Sequence, residues 1–410
     1  MPLRNFGCVT LSASHLLPLP CTPGEGRGGG FVGQSTFDPH PNPPPEYMGR
    51  GKSSAESVTQ PAIPTLASWR RGGSIVFVRE RVGRSQVGGG ARIMSGNRRY
   101  CLITPCRDEA KFARRTLQSV TSQSVAPALW VIVDDGSTDQ TPGILAEYAA
   151  KYPYLRILRR ENRGFRKLGG GVIDAFYHGY ETIDPREFDF VCKLDLDLDL
   201  PRRYFEGLMD RMDAEPRIGT ASGKPFFLDQ ETGRKVMETC GDENSVGMVK
   251  FYRTDCFVQI GGFVRELMWD GIDCHRCRML GWIAVSWDDA ELNFEHLRPM
   301  GTSDKNWWTG RVRHGVGQYF MGTGVCYVIA SAAFRVVHPP MVLGSMGMLW
   351  GYFKSLMGRK ARYGDREFRR FLRAYQWSSM LHGKRAATAE LNARQANIWN
   401  PGGISESKIQ

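Results

Sequence analysis

The chain has 410 residues, a formal net charge of +12 at pH 7 and 41% hydrophobic residues. This length allows about two or three domains. The excess of positive charge favours a polyanionic partner, such as nucleic acid, anionic lipid or a phosphorylated substrate. The sequence has no run of Lys and Arg with interleaved aromatic residues, so nucleic acid is not indicated as a partner.

The ten cysteines are scattered, and Cys274 and Cys277 form the one close pair. A zinc site of this kind normally needs a second pair at comparable spacing, and the sequence has none. The cysteines are therefore predicted to be buried thiols of a protein in a reducing compartment.

Residues 1–93 contain 15 Gly and 11 Pro, about 28% of the segment. This composition is typical of disordered chain, and the apolar residues are too few to form a core. The segment also lacks the pattern of a signal peptide. We expect it to be disordered, or to lie upstream of a true start at Met94.

Apolar strands and amphipathic helices alternate from Tyr100 onwards. Strands are predicted over residues 100–105, 128–134, 155–158 and 188–194, and helices begin near residues 111, 142, 172 and 202. This alternation predicts right-handed βαβ units and a mainly parallel sheet flanked by helices, which is an α/β fold.

Acidic side chains follow three of these strands. Asp108 and Glu109 follow the first strand, Asp134 and Asp135 follow the second, and the fourth leads into alternating aspartates, Asp195, Asp197 and Asp199. Ligands of parallel sheets bind beyond the carboxyl ends of the strands. Converging carboxylates there indicate Mg²⁺ or Mn²⁺ with phosphate oxygens, while a solvated acidic strand end is the plainer alternative. The sequence has neither GxGxxG nor GxxxxGK[ST], which argues against a dinucleotide site and a P-loop.

The segments ITPCRDE, VDDGSTD and LDLDLDLP, in this order, resemble the family 2 glycosyltransferases. The resemblance covers roughly residues 98–300, and the aspartates of the last segment correspond to the DxD motif of the family. It implies a GT-A fold, which is Rossmann-like, for residues 94–305. Arg107 and Asp108 depart from the aromatic–Asn pair that is usual after the first strand.

The resemblance also implies roles at a site for a UDP- or GDP-type nucleotide sugar. Asp135 is expected to hydrogen-bond the base, Asp195 to approach the ribose or sugar, and Asp197 to bind the metal. Arg166 and Lys167 correspond to basic residues near the diphosphate, although a solvated loop is the alternative. Further nucleotide-sugar contacts are expected from Pro105, Glu109 and Asp134.

The second half of the predicted domain supplies the expected catalytic base. Transfer with inversion at the anomeric carbon needs a carboxylate that takes the proton of the incoming hydroxyl, while a metal stabilises the leaving diphosphate. By resemblance this base is Asp270, with a role as an N-cap as the alternative and Asp273 as a competing base. His296 is expected to be a further metal ligand, or else a structural histidine.

The acceptor side is predicted from the segment GMVKFYRTDCFVQIGGF. It resembles a segment that borders the acceptor site in the family. Tyr252 and Arg253 are expected to contact the acceptor, with packing as the alternative, and Asp273 lies on the same side.

Residues 306–410 are predicted to form a helical, apolar and amphipathic tail. Residues 315–334 and 341–353 carry no charged side chain, and basic residues flank them. The first run is too polar and the second too short for a membrane span. The tail is expected to contact an anionic membrane surface, as an interfacial or re-entrant hairpin; helices packed on the catalytic domain are the alternative.

Together these observations predict an inverting, metal-dependent glycosyltransferase of surface polysaccharide or glycolipid biosynthesis. We expect its acceptor to be a glycan or a polyprenyl-linked lipid, and we expect the enzyme to act at the cytoplasmic face of the membrane. A sugar-phosphate nucleotidyltransferase usually needs a Gly-rich basic loop after the first strand, and CRDEAKF contains no Gly. A membrane-associated scaffold with an inactive domain would have lost the DxD motif or the base, and the sequence retains both.

Overall fold

A computed structural model of the chain describes residues 98–162, 170–229, 231–298, 307–336 and 341–402. All of them belong to one compact unit that covers residues 88–410. The interpretations of residues 1–93, Met94, Arg166 and Lys167 lie outside the described residues. The predicted domain boundaries after residues 93 and 305 stay predictions.

The strands of the described part are short and regularly spaced. They are β1 (Tyr100–Cys106), β2 (Leu129–Asp134), β3 (Leu155–Arg159), β4 (Phe190–Leu194), β5 (Leu198–Asp199), β6 (Ile218–Gly223), β7 (Pro225–Leu228), β8 (Lys235–Met237), β9 (Val249–Arg253), β10 (Ile283–Trp287) and β11 (Phe294–His296).

The described helices divide into two groups. Those of the α/β part are α1 (Ala110–Thr121), α2 (Thr141–Ala149), α3 (Gly170–Tyr180), α4 (Tyr204–Ala214), α5 (Thr254–Gln259) and α6 (Trp269–Met279). Those of the C-terminal part are α7 (Trp307–Met321), α8 (Val325–Arg335), α9 (Met341–Met357), α10 (Arg366–His382) and α11 (Lys384–Arg394).

Seven of the described strands form one sheet, in the order β10-β6-β9-β4-β1-β2-β3. All its strands run parallel except β9, which is antiparallel to both β4 and β6. The prediction of an α/β fold with a mainly parallel sheet is therefore confirmed.

Strand β1 lies in the middle of this sheet and is buried along its whole length. Tyr100 and Leu102 pack into the core on one face, and Cys101 and Ile103 pack into a second core on the other. Alternation of side chains between the two faces follows from the period of a strand, and helices on both faces cover the apolar residues.

A second described sheet, in the order β5-β11-β7-β8, lies just beyond β4. Strand β4 ends at Leu194, so residues 188–201 do not form the single acid-tipped strand that their pattern indicates. The alternation nevertheless continues, because Leu196, Leu198 and Leu200 are buried. In β5, Leu198 pairs with His296 of β11, which brings the histidine to the aspartates.

Two close helix–helix contacts hold the C-terminal region together. A Cβ on Gly315 of α7 would overlap the carbonyl of Met348, and one on Gly351 of α9 would overlap that of Val312, so these glycines let α7 and α9 touch through their backbones. None of the described helices combines the length and the hydropathy that crossing a bilayer requires.

Helix α10 joins this region to the α/β part. Phe368 and Leu372 of α10 share a core with Ile272 of α6. The C-terminal helices therefore pack on the element that carries Asp270.

Candidate active site

A buried lysine supports the first aspartate of the DxD motif. Lys193 is the fourth residue of β4 and is only 2% exposed. Its Nζ lies 2.5 Å from Asp195 Oδ1 and donates to the carbonyl of Gly247 at 2.9 Å. A charge buried in an apolar strand needs such partners, and the pair fixes the carboxylate of Asp195 at the end of β4.

Asp197 lies between two basic side chains. Its Oδ2 is 3.4 Å from Nε of Arg298 and 4.0 Å from Nε2 of His296. Its Oδ1 is buried and has no hydrogen-bond partner among the described residues. Burial and the charge of Asp195 raise the pKa of Asp197, against the opposing effect of His296 and Arg298.

His296 is oriented from behind by a second carboxylate. Nδ1 of His296 lies 2.9 Å from Oε2 of Glu238, a residue just beyond β8. Burial lowers the pKa of His296, but the hydrogen bond with Glu238 and the charge of Asp197 outweigh it and raise the pKa. A carboxylate behind the imidazole is the arrangement found for metal-binding histidines.

These residues fit a divalent cation. Asp197 has a buried oxygen in need of a partner, and the free side of the His296 ring faces the same aspartate. The described residues contain no group of three or more candidate metal ligands. A cation here would therefore draw its other ligands from water and phosphate, as Mg²⁺ commonly does.

Glu109 also lies at this centre. Its carboxylate pairs with Arg298, whose guanidinium sits 5.1 Å from the ring centre of Phe112. The backbone N–H of Glu109 donates to Thr141 Oγ1 at 2.8 Å. Pro105 is buried in β1, level with Val133 and beyond the last pairing of β1 with β4.

A cleft of about 460 Å³ lies at the carboxyl ends of β2 and β3. Its lining consists of Gly136, Ser137, Thr138, Arg159, Arg160, Glu161 and Asn162. Asp135 lies beside it and accepts a hydrogen bond of 2.8 Å from Arg160. Asp134 is 1% exposed; its Oδ1 accepts from the backbone N–H of Ser137 at 2.8 Å, while its Oδ2 has no hydrogen-bond partner among the described residues.

The two positions that depart from the family pattern are used to hold this turn. Asp108 has a positive φ of 54° and accepts from the backbone N–H of Thr138 at 2.7 Å. Arg107 donates to Asn162 at 2.8 Å. Both contacts tie the end of β1 to the wall of the cleft.

Asp270 lies near Asp195, on the other side of Gly247. A Cβ on Gly247 would be 3.0 Å from Oδ2 of Asp270, and the carbonyl of the same glycine binds Lys193. Asp270 keeps an exposed surface although protein surrounds it. That surrounding protein raises the pKa of Asp270; Lys250 opposes this shift and Asp273 adds to it. The N-cap of α6 is Met268, so the interpretation of Asp270 as an N-cap is wrong.

Asp273 and Tyr252 are placed in the core, not at an acceptor surface. Asp273 is 1% exposed, and its carboxylate lies 2.8 Å from Nζ of Lys250 and 2.5 Å from the hydroxyl of Tyr252. Burial lowers the pKa of Lys250, but the charge of Asp273 outweighs it and raises the pKa. A carboxylate enclosed in this way cannot reach a substrate hydroxyl.

Arg253 is likewise remote from the aspartates. It pairs in register with Phe190, at the start of β4, and donates to the carbonyls of Ile218 and Met212. Because β9 runs antiparallel to β4, the residue lies at the opposite edge of the sheet. The expected acceptor contact of Arg253 is corrected to a packing role for this reason.

Three residues of the site escaped the sequence reasoning: Lys193, Arg298 and Glu238. Lysine inside an otherwise apolar strand was a usable signal for Lys193, because such a charge must be paired. Arg298 stands two positions after His296, a spacing that puts both on one side of an extended chain. Nothing in the local sequence distinguishes Glu238.

A family model described as "Glycosyl transferase family 2" matches residues 101–257. Residues 101–257 are a family 2 glycosyltransferase domain. The prediction of this family is confirmed. The matched segment contains Glu109, Asp135, Asp195 and Asp197, whereas Asp270, His296 and Arg298 lie beyond it.

Individual relatives align over short segments of the chain. The uncharacterized glycosyltransferase YibD of Escherichia coli is 24% identical over 115 residues, which are 26% of this chain and 33% of that protein. An uncharacterized protein of Mycobacterium tuberculosis is 35% identical over 77 residues, 18% of this chain and 22% of that protein. The chain thus spans a third or less of the length of these relatives.

Two solved glycosyltransferase structures are similar over more of the chain. A mannosyltransferase from Pyrobaculum calidifontis, in complex with GDP-Man and Mn²⁺, is 17% identical, with 74% of this chain and 87% of that chain covered and a TM-score of 0.39. Residues 1–349 of TarS from Staphylococcus aureus are 14% identical, with coverages of 73% and 90% and a TM-score of 0.41.

Proposed function

We propose that this protein is an inverting glycosyltransferase that moves a sugar from a nucleotide-sugar donor to a glycan or lipid-linked acceptor. The observation that carries the proposal is the grouping of Asp195, Asp197 and Asp270 at one edge of the sheet, with Lys193 between the first and the last. Parallel sheets bind their ligands at this edge.

Asp270 acts as the general base in this proposal. Its exposed carboxylate takes the proton of the acceptor hydroxyl while that oxygen attacks the anomeric carbon, and the bond to the donor diphosphate breaks. A single displacement of this kind inverts the anomeric centre. No protein acid is needed on the leaving side.

Asp197 and His296 would hold a divalent cation, Mg²⁺ or Mn²⁺. When bound, such a cation stabilises the negative charge of the leaving diphosphate. Glu238 supports this role, because its hydrogen bond fixes the orientation of the His296 ring.

The nucleotide is proposed to bind in the cleft at β2 and β3. Asp135 and Arg160 at its edge offer an acceptor and donors for a base of the UDP or GDP type. Asp195 approaches the donor sugar or ribose. Arg166 and Lys167 remain proposed contacts of the diphosphate.

The acceptor is proposed to enter through a second cavity of about 360 Å³, which borders His296. Asp229, Glu231 and Glu295 contribute to its lining. Carboxylates of this kind accept hydrogen bonds from sugar hydroxyls.

We also propose contact with an anionic membrane through helix α9. Five of its described apolar residues are exposed, Val342, Leu343, Met346, Trp350 and Met357, here called the α9 stripe. Exposed Lys354, Arg359 and Lys360 adjoin them. A charged rim beside an apolar stripe suits the boundary between headgroups and acyl chains. We therefore propose that the enzyme acts at the cytoplasmic face of the membrane, in surface polysaccharide or glycolipid assembly.

Thermal unfolding of the full chain tests the catalytic proposal. UDP, GDP, dTDP and CMP are added separately, each with and without Mn²⁺. One diphosphate at about 100 times its Kd is expected to raise Tm by several degrees only when Mn²⁺ is present. Asp197→Ala should abolish the rise in Tm. The control is Asp199→Ala, which should still show the rise, because the carboxylate of Asp199 pairs with Arg115.

Two alternative functions predict different results, one in these binding experiments and one in an assay for pyrophosphate. Absence of binding with any nucleotide and metal would favour an inactive scaffold. Release of pyrophosphate from a nucleoside triphosphate and a sugar 1-phosphate would instead identify a nucleotidyltransferase.

A further inference from the structure

Arg298 is shared between two carboxylates, those of Glu109 and Asp197. One terminal nitrogen of its guanidinium binds Glu109, and Nε lies 3.4 Å from Asp197 Oδ2. The two acidic residues are far apart in sequence, and a single positive group holds them at one place.

The Arg298 contact with Asp197 is the weaker of the two. The ion pair is 3.4 Å long, and the Arg298 side chain is 20% exposed. The guanidinium is otherwise supported by the face of Phe112 at 5.1 Å. A long side chain held in this way can give up Asp197 and keep its stem in place.

A divalent cation at Asp197 conflicts with this arrangement. The cation and the guanidinium would both be positive and within a few ångströms of each other, so they would repel each other. An anion between them removes the conflict. A diphosphate is such an anion, and a guanidinium matches its oxygens better than a single point charge does.

We propose that Arg298 occupies Asp197 while the donor is absent and transfers to the donor diphosphate when nucleotide and cation bind together. Arg298 thus opposes the cation in the free enzyme and supports it in the donor complex. This inference rests on the proposed function, since it assumes a diphosphate donor. It adds a substrate-binding residue outside the segment that matches the family.

Titration calorimetry of the full chain with Mn²⁺ separates this role from a structural one. In Arg298→Gln, Mn²⁺ alone should bind at least about threefold more tightly, because the competing charge is gone. The nucleoside diphosphate that stabilises the wild type should bind at least about tenfold more weakly in the presence of Mn²⁺. Affinity for the corresponding nucleoside should not change.

The matched control is Arg115→Gln. Arg115 also joins two carboxylates, Asp199 and Glu295, but does not contact Asp197. Its removal should leave both affinities as they are in the wild type. Arg298→Lys should restore part of the diphosphate affinity.

In Arg298→Gln we expect the affinity for Mn²⁺ alone to rise and the affinity for the nucleoside diphosphate with Mn²⁺ to fall. Unchanged or weaker binding of Mn²⁺ alone in Arg298→Gln would overturn the inference while leaving the glycosyltransferase proposal intact. If the wild type binds neither Mn²⁺ nor a nucleoside diphosphate, both proposals are wrong.

Discussion

Nζ of Lys193 lies 2.5 Å from Oδ1 of Asp195, although Lys193 itself is enclosed in the apolar strand β4. The same amine donates to the carbonyl of Gly247, and Gly247 touches the carboxylate of Asp270. One buried lysine thus connects the donor motif with the proposed base. The lysine between the two aspartates belongs to the buried strand β4, which suits a site whose groups must be held in place.

Gly247 is expected to control the position of Asp270. In Gly247→Ala the new Cβ would stand 3.0 Å from Oδ2 and 3.4 Å from Cβ of Asp270, so the carboxylate must move. A displacement of this kind is expected to lower kcat about 10- to 100-fold, with little change in KM for the donor. Steady-state kinetics at saturating donor provides the measurement.

Gly143→Ala is the control for this substitution. Gly143 lies in α2, and nothing is found within 4 Å of its added Cβ. This variant should keep full activity and gain up to about 1 kcal/mol of stability. Equal activity of both alanine variants would show that Gly247 does not position Asp270.

Asp270 and Asp273 should separate into a catalytic and a structural role. Asp273→Asn leaves Lys250 buried without its counterion. The free energy of unfolding should fall by about 3–5 kcal/mol, which lowers Tm by roughly 6–20 °C.

Asp270→Asn should abolish transfer. Its Tm should stay unchanged or rise slightly, because the raised pKa means that the folded protein disfavours the ionised form. Thermal unfolding and activity assays on both variants provide the comparison. A catalytically intact Asp270→Asn variant would contradict the assignment of the base.

The pH profile of transfer should carry the signature of Asp270. A general base works only when ionised, so kcat is expected to fall as the pH decreases through its pKa. Since the pKa of Asp270 is raised, this fall occurs at higher pH than for an ordinary aspartate. The measurement is kcat at saturating donor as a function of pH. Residual activity of Asp270→Asn should lack this acidic limb, and the same limb in both proteins would assign it to another group.

Glu238 is expected to tune the affinity of the cation through His296. Glu238→Gln keeps the size of the side chain but loses the charge behind the imidazole. Loss of such a partner typically reduces metal affinity about 10- to 100-fold. Calorimetry with Mn²⁺ in the presence of the stabilising nucleotide measures the effect. The surface variant Glu147→Gln serves as control. Among the described residues, Glu147 forms ion pairs with Arg114 and Lys151. Equal affinity of both variants for Mn²⁺ would place His296 outside the metal site.

The α9 stripe predicts binding to anionic vesicles. The full chain should float with vesicles that contain phosphatidylglycerol and remain in solution with phosphatidylcholine alone. Changing Met346 and Trp350 to Ser should reduce binding at least about tenfold. Ile398→Ser is the matched control, because Ile398 has the same exposed fraction of 53%. If light scattering shows instead a dimer that the Ser variant separates, the stripe is a protein interface and the membrane proposal is wrong.

The sequence by itself determined that the sheet is mainly parallel and at which edge the candidate site lies. Local periodicity carries this information: β1, β2 and β4 are apolar runs, each followed by acidic residues, and parallel strands bring their carboxyl ends together. The order of the three motifs was enough to predict the family. The leucines that alternate with aspartates from Leu194 to Leu200 are buried.

Only the tertiary structure decided which charged groups are paired and which remain available. Glu109 and Arg298 are 189 positions apart, and their pairing depends on how β11 joins β5 beyond the main sheet. Asp270 and Asp273 look alike in sequence, yet one faces solvent while the other is enclosed by Lys250 and Tyr252. The reason is physical: a pattern of residues along one strand or helix sets the face on which a side chain lies. The counterion and burial, which set the pKa, come from elements distant in the chain.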